Sequence, residues 1–177
     1  NSLLPQDIQV LSLLAAPIEF HAQHSALKKQ YSYYFQPGPC ALPHLEPLSW
    51  WIRKELDLKG MAKALDALTG EHDFKPFQAS GAPEGRSTVR KILEAEVLVE
   101  PVRFPGTSPE GVHLVRMRLV GTGFLKQMVR GIAGTLLQVG EGRRDPDCIR
   151  QILESGAREE VGPTAPARAL WLEKVWY

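Results

Sequence analysis

The sequence predicts an α+β fold: a mixed, largely antiparallel sheet with helices packed on it, in a single domain spanning residues 1–177. Three observations carry this expectation. Apolar and polar residues alternate around Tyr31–Phe35, Ile92–Val99 and Val112–Val120, the period of strands with one buried face. Apolar residues recur at helical spacing over 57–69, over 123–140 and after Pro146. The two patterns are interspersed, and the short gaps between strand candidates favour antiparallel pairing with helices against the sheet. A chain of 177 residues is long enough for one real core.

Residues 1–20 read as a loop entering a strand, with Ile8 and Val10 alternating with polar neighbours until Pro17 interrupts. In the next strand Tyr31, Tyr33 and Phe35 share one face, where a tyrosine is ordinarily a core residue. The proline-rich stretch 37–56 reads as a surface loop whose Trp50 and Trp51 either pack on the body or stack on bases. Asp57 is the N-cap of the 57–69 helix, Leu58, Met61, Leu65 and Leu68 are its stripe, and Gly70 ends it. His72-Asp73 then reads as a capping or loop-bonding pair. A polar loop over 78–90 leads to a strand, Ile92 to Val99, with Leu93, Ala95, Val97 and Val99 on one face. After a Pro/Gly turn over 101–111, Val112 to Val120 returns as the second arm of a hairpin, Val115, Met117 and Leu119 inward, Arg116 and Arg118 outward. Asp145-Pro146 starts a last helix, with Ile149, Ile152 and Leu153 as its stripe and Gly156 as its stop. Residues 162–177 form a loop and a closing strand.

The stretch Gly123–Gly140 organises the chain. Read as one helix, Phe124, Leu125, Met128, Ile132, Thr135, Leu136 and Val139 make a wide apolar arc, and Arg130 sits on a narrow polar strip with Lys126 and Gln127. A guanidinium beside a buried face calls for an anion, and its fork suits a carboxylate or a phosphate. A structural ion pair and a functional arginine both satisfy that demand. Gly131 and Gly134 follow, and a helix-interior glycine costs about 1 kcal/mol relative to alanine, so two in one turn predict the close approach of another backbone or a ligand.

Composition excludes several classes. Net charge is +1, so composition alone does not announce a nucleic-acid binder, although Lys28–Lys29, Lys126 with Arg130, and Arg143–Arg144 are local basic clusters. Cys40 and Cys148 have no metal or redox spacing and read as free thiols, which points to the cytoplasm. His21 and His24 lack a third ligand, so no metal site is expected. No apolar run is long enough for a membrane span, so no membrane partner is expected.

The order of these residues resembles TruA-type tRNA pseudouridine synthases over nearly the whole chain. Phe124, Met128, Val129, Arg130, Ile132 and Gly134 match the helix motif F-x-x-x-M-V-R-N-I-V-G. Phe20, His21, Ala22, Ser25, Ala26, Tyr31 and Tyr33 match F-H-A-R-F-S-A with its following Y-x-Y, with Gln23 and His24 departing from it. The opening resembles N-x-x-L-P-x-D-I-x-V, the 70–77 stretch L-x-G-x-H-D-F-x-x-F, residues 87–92 S-T-V-R-x-I, and the tail T-A-P-A-x-G-L, with Ala169 in place of its glycine. Thr122 stands where the family often has Asn, and Lys126 and Gln127 where aromatic or His residues are common.

The resemblance implies isomerisation of uridine to pseudouridine in the tRNA anticodon arm, with tRNA as partner, no cofactor and no metal, and a homodimer. It implies catalytic roles for Arg130, which pairs with the catalytic aspartate, and for Tyr31, which packs on the target base and takes part in the C5 proton step. Leu170 lines the uridine pocket, and Lys28, Lys29 and Lys126 contact phosphates. The family's catalytic aspartate lies in a G-R-T-D-x-G-V-H-A loop, which this sequence does not contain. The expectation is therefore the C-terminal part of a synthase catalytic domain without its N-terminal part, inactive alone, with its nucleophile ahead of Asn1. Two other classes fit the residues: a non-catalytic RNA-binding module of the same fold, and an unrelated α+β domain in which Arg130 is structural.

Overall fold

The computed structural model describes residues 1–81, 85–102 and 112–177. Six strands form one sheet: β1 (Lys28–Pro37), β2 (Trp50–Ile52), β3 (Gly70–Asp73), β4 (Val89–Val102), β5 (Val112–Gly121) and β6 (Leu170–Trp176). The order is β2-β1-β5-β4-β3, and every pairing is antiparallel except β1 with β2. β6 runs antiparallel to β1 over residues 28–33, and β2 pairs with β1 over residues 35–37. Three helices, α1 (Leu58–Asp66), α2 (Met128–Gly140) and α3 (Cys148–Ser155), cover one face. The α+β expectation holds, as does the β4–β5 hairpin, whose 103–111 connection lies outside the described residues.

Strand alternation sorts side chains onto two faces. Tyr33, Phe35, Val115, Met117, Leu119 and Ile92 point to the helices and meet Met61, Leu65, Met128, Ile132, Leu136, Ile149 and Ile152 in one core. The opposite face carries charge. Arg116 pairs with Glu100 and Glu173, and Arg118 with Glu94 and Glu96. Tyr34 donates to Glu173 at 2.8 Å.

Local signals set most boundaries. Asp57 caps α1, accepting from the Gly60 N–H at 3.0 Å. α1 ends at Asp66, before Gly70, whose φ of +115° opens β3 instead. Gly156, at φ +68°, closes α3. Asp145 sits two residues ahead of the α3 cap, turning the chain by accepting from the Asp147 N–H.

Four expectations change. Residues 1–27 form no strand: Ile8 and Val10 are exposed, so their alternation buries no face, and the Asn1 side chain takes both the N–H and the carbonyl of Val10. Trp50–Ile52 and Gly70–Asp73 are short strands, not loop. A bulge between Ile92 and Glu94 puts Ile92, not Leu93, in the core, with Ala95 and Val97 following on that face. The helix of the organising stretch starts at Met128. Gln127 has φ 60°, a left-handed conformation that a right-handed helix cannot continue, so Phe124 and Leu125 reach the core from the preceding loop.

The two α2 glycines separate into different roles. A Cβ on Gly134 would lie 1.7 Å from the Pro163 carbonyl oxygen, whereas on Gly131 it would meet only ordinary contacts with Phe77 and Val161 at 3.5 Å or more. Gly134→Ala is expected to destabilise by about 3 kcal/mol or more, since backbone on one side and helix on the other cannot both yield. Gly131→Ala is expected to be neutral or to stabilise by about 0.5–1 kcal/mol by removing a helix-interior glycine. Urea denaturation of the two variants checks both, and equal midpoints would contradict the assignment.

Candidate active site

α2 lies against the 161–166 segment, and that contact builds the site. Thr135 Oγ1 donates to the Gly131 carbonyl and accepts from the Gly162 N–H, each at 2.9 Å. The Ala165 N–H donates to the Arg130 carbonyl at 3.2 Å, and Arg130 Nε donates to the Ala165 carbonyl at 2.6 Å. Arg130 is thus tied to one residue through both its backbone and its side chain. No carboxylate pairs with it among the described residues. The structural ion pair that the sequence allowed is therefore not formed within them. With Nε engaged, both terminal nitrogens of the guanidinium keep their fork for an anion.

Tyr31 stands in β1, opposite Leu119 of β5 and Leu172 of β6. Its ring is half-buried and meets Phe124 edge-on at 5.0 Å. Burial raises the pKa of its phenol above the ordinary value. Tyr33, two residues on, is fully buried and donates its hydroxyl to the Pro166 carbonyl at 2.8 Å. Burial raises its pKa strongly, against the pull of the Arg130 and Arg168 charges. The sequence placed Tyr33 only as a core residue. Its role in holding the 161–166 segment needs the long-range partner to become visible, although its place in the alternating strand was a partial signal.

Leu170 opens β6 opposite Tyr33, so Tyr31, Tyr33 and Leu170 line the helix-side face together, and the Tyr33 hydroxyl and Arg130 Nε bond the successive carbonyls of Pro166 and Ala165. The three lysines do not cluster. Lys29 shares the Tyr31 face by alternation, whereas Lys28 points to the opposite face, where its ammonium sits 4.6 Å from the centre of the Trp176 ring. Lys126 is exposed on the loop before α2, where its carbonyl accepts from the Ala79 N–H at 3.0 Å. Because that loop is not helical, Lys126 is not one turn below Arg130. A cavity of about 310 Å³ lies nearby, lined by Phe77, Gln127, Gly131, Arg158 and Val161 among others, but not by Arg130 or Tyr31.

The remaining candidates have local roles. Asp73 accepts from the Lys75 N–H at 2.9 Å, the capping bond expected of it. His21 Nδ1 accepts from the N–H groups of Gln23 and His24, and the two imidazoles lie 4.3 Å apart. Among the described residues no group of three or more His, Cys, Asp or Glu is placed to hold a metal ion. Ala169, buried in a short 3-10 turn, has no positive φ, so its side chain causes no backbone strain. Cys40 and Cys148 are free thiols. No helix among the described residues is long and apolar enough to cross a membrane.

The sequence is similar to a known family. A sequence model described as tRNA pseudouridine synthase matches residues 64–177, which include α2, Arg130 and the closing strand. Proteins called tRNA pseudouridine synthase A match all 177 residues. Those of Syntrophotalea carbinolica and Thermus thermophilus are each 37% identical, and that of Ruminiclostridium cellulolyticum is 39% identical. The chain spans 66% of the first two and 68% of the third. With a family model matching well over half of the chain and relatives alike along its whole length, the chain belongs to the tRNA pseudouridine synthase family.

Proposed function

We propose that this chain forms the larger, C-terminal part of the catalytic domain of a cytoplasmic tRNA pseudouridine synthase acting on uridines of the anticodon arm. In the reaction the N1–C1′ bond breaks, the base turns, C5 bonds to C1′, N1 gains a proton and C5 loses one. The observation that carries the reading is the state of Arg130. It is fixed through Nε to Ala165, and its terminal nitrogens remain available for a carboxylate on the side where Tyr31, Tyr33 and Leu170 gather. The guanidinium holds the catalytic aspartate ionised and oriented. That aspartate comes from a segment outside these residues, and without it this chain is inactive. Tyr31 packs on the target base and Leu170 lines its pocket. A phenol with a raised pKa stays protonated at neutral pH, so it takes part in the C5 proton step only with the carboxylate beside it.

The target base leaves its stack to reach such a site, at a cost of a few kcal/mol, which phosphate contacts from Lys29 and Lys126 offset. Lys28 serves the RNA from the other face of the sheet. The reading includes a homodimer: a strand edge without a partner invites pairing, and β6 has one such edge among the described residues. A non-catalytic RNA-binding module of the same fold is the competing class, but no observation here favours it.

Tritium release from tRNA labelled at uridine C5 tests the reaction. The protein extended upstream through its aspartate loop is expected to turn over, and residues 1–177 alone are not. Arg130→Ala in the extended protein is expected to lower turnover at least about 100-fold, the scale of losing a preorganised charge partner, while tRNA affinity changes little. Full activity in that variant would remove Arg130 from the mechanism.

The Tyr31 phenol gives an independent check. Its folded-state pKa is raised, so its burial contributes stability below about pH 10, the unfolded value, and that contribution is lost as pH rises through the folded value. Tyrosinate absorbance of the Tyr31→Phe variant should lose part of the transition above pH 10. Loss of a component at pH 10 itself would place Tyr31 in solvent.

A further inference from the structure

The segment that anchors Arg130 carries Pro163 and Pro166, and neither has a backbone N–H to donate. It joins no strand, so other elements must hold it. From α2, Thr135 Oγ1 accepts from the Gly162 N–H at 2.9 Å, and the Arg130 carbonyl accepts from the Ala165 N–H at 3.2 Å. Arg130 Nε returns a bond to the Ala165 carbonyl at 2.6 Å. At the far end, Arg168 Nε donates to the Ser49 carbonyl at 3.3 Å.

The Tyr33 bond differs from those of α2. The α2 bonds tie the segment to the helix that itself carries Arg130, so they leave the guanidinium without a reference on the sheet. The Tyr33 hydroxyl comes from β1 and donates to the Pro166 carbonyl at 2.8 Å, next in the chain to the carbonyl that holds Arg130. Tyr31 stands two residues before Tyr33 on the same face of β1, about 7 Å along the strand. One strand therefore sets the base-packing tyrosine and the anchor of the guanidinium in a common frame.

Tyr33 has no access to a substrate. Its side chain is fully buried, tilted against Phe35 at 5.1 Å and edge-on to Trp50 at 6.3 Å. Burial holds its pKa well above the ordinary value, so the hydroxyl remains a proton donor at neutral pH. Packing alone explains the ring but not the oxygen. Phenylalanine would fill the same place with no hydroxyl to desolvate.

We propose that Tyr33 is a positioning residue for the isomerisation: its hydroxyl, by holding the Pro166 carbonyl, fixes the adjoining Ala165 carbonyl and so the direction of the Arg130 guanidinium relative to Tyr31. The inference rests on the synthase reading above, because the direction of Arg130 matters to turnover only where a catalytic carboxylate meets it. Tyr33 moves no proton and acts only through Arg130.

The test uses the intact protein carrying this sequence together with its upstream aspartate loop. Tyr33→Phe keeps the ring and removes one oxygen. Single-turnover tritium release from tRNA labelled at uridine C5 and the dissociation constant for tRNA are measured side by side. NMR follows exchange of the Arg130 Nε proton with solvent, its signal identified by its loss in Arg130→Ala. Tyr33→Phe is expected to slow release by about ten-fold with tRNA affinity unchanged, the scale of one lost hydrogen bond at a preorganised site. The Arg130 Nε proton is expected to exchange about ten-fold faster. Ile149→Val trims the core on α3 and controls for lost stability alone, so both of its rates should match the wild type. A wild-type release rate in Tyr33→Phe would overturn the inference. So would slower release with Arg130 exchange unchanged, slower release matched by an equal loss of tRNA affinity, or the same slowing in Ile149→Val. Slow Arg130→Ala beside a fully active Tyr33→Phe leaves the synthase reading standing and removes Tyr33 alone. A wild-type protein that releases no tritium overturns that reading and this inference together.

Discussion

The close approach of α2 to the 161–166 segment is the constraint on which the rest of the site depends. Gly134 leaves no room for a side chain beneath the Pro163 carbonyl, and Thr135 and Gly162 hold the two backbones in register. The same contact gives the carbonyl of Ala165 to Arg130 and that of Pro166 to Tyr33. One loop therefore aligns a helix residue with a strand residue. A half-buried guanidinium with loose torsions would lose its direction to side-chain entropy. Fixing Nε to a backbone oxygen removes that freedom and leaves the charge to be used.

The sheet separates two kinds of chemistry. On its helix side, aromatic and aliphatic groups exclude water around Tyr33 and leave Tyr31 half-buried. On its other side Arg116 and Arg118 lie among Glu94, Glu96, Glu100 and Glu173, so the positive charge of β5 is neutralised by its neighbours. Burial pushes the Glu173 carboxyl up, but hydrogen bonds from Tyr34 and Gln30 and the charge of Arg116 outweigh it and hold the pKa low. Exposed pairs of this kind contribute little stability individually, and their geometry favours one cross-strand register over its neighbours. A net charge of +1 thus conceals an uneven distribution: Arg116 and Arg118 on the outer face have counter-ions among the described residues, whereas half-buried Arg130 has none there.

Membership of the tRNA pseudouridine synthase family and the roles of individual residues rest on different grounds. Membership follows from similarity along the whole chain. The roles proposed for Arg130 and Tyr31 come from the resemblance, and the structure offers them support: a fixed guanidinium with free donors, and a half-buried phenol on the same face. In that proposal the catalytic carboxylate pairs with the terminal nitrogens of Arg130.

Much of the fold was legible in the sequence because its signals are local. Asp57 announced α1, Gly156 ended α3, and strict alternation placed Val115, Met117 and Leu119 inward and two arginines outward. The crowding around α2 was also legible, since a helix tolerates the cost of two glycines in one turn where something must pack close against its backbone. Long-range geometry was not legible. Periodicity counted Phe124 and Leu125 into a helix because their burial fits its phase, but the left-handed Gln127 hands them to a loop. Alternation could not reveal the bulge that substitutes Ile92 for Leu93. Adjacent Lys28 and Lys29 read as one basic cluster, yet consecutive strand residues face opposite sides. By itself the sequence determined the helices, the long strands, most of the core and the candidate arginine, because caps, periods and residue chemistry act within a few positions, whereas Tyr31 stood out from the core only through its resemblance to the family's Y-x-Y. Only the tertiary structure decided what each candidate faces, because the partners of Arg130, Tyr33 and Arg168 lie 35, 133 and 119 residues away along the chain.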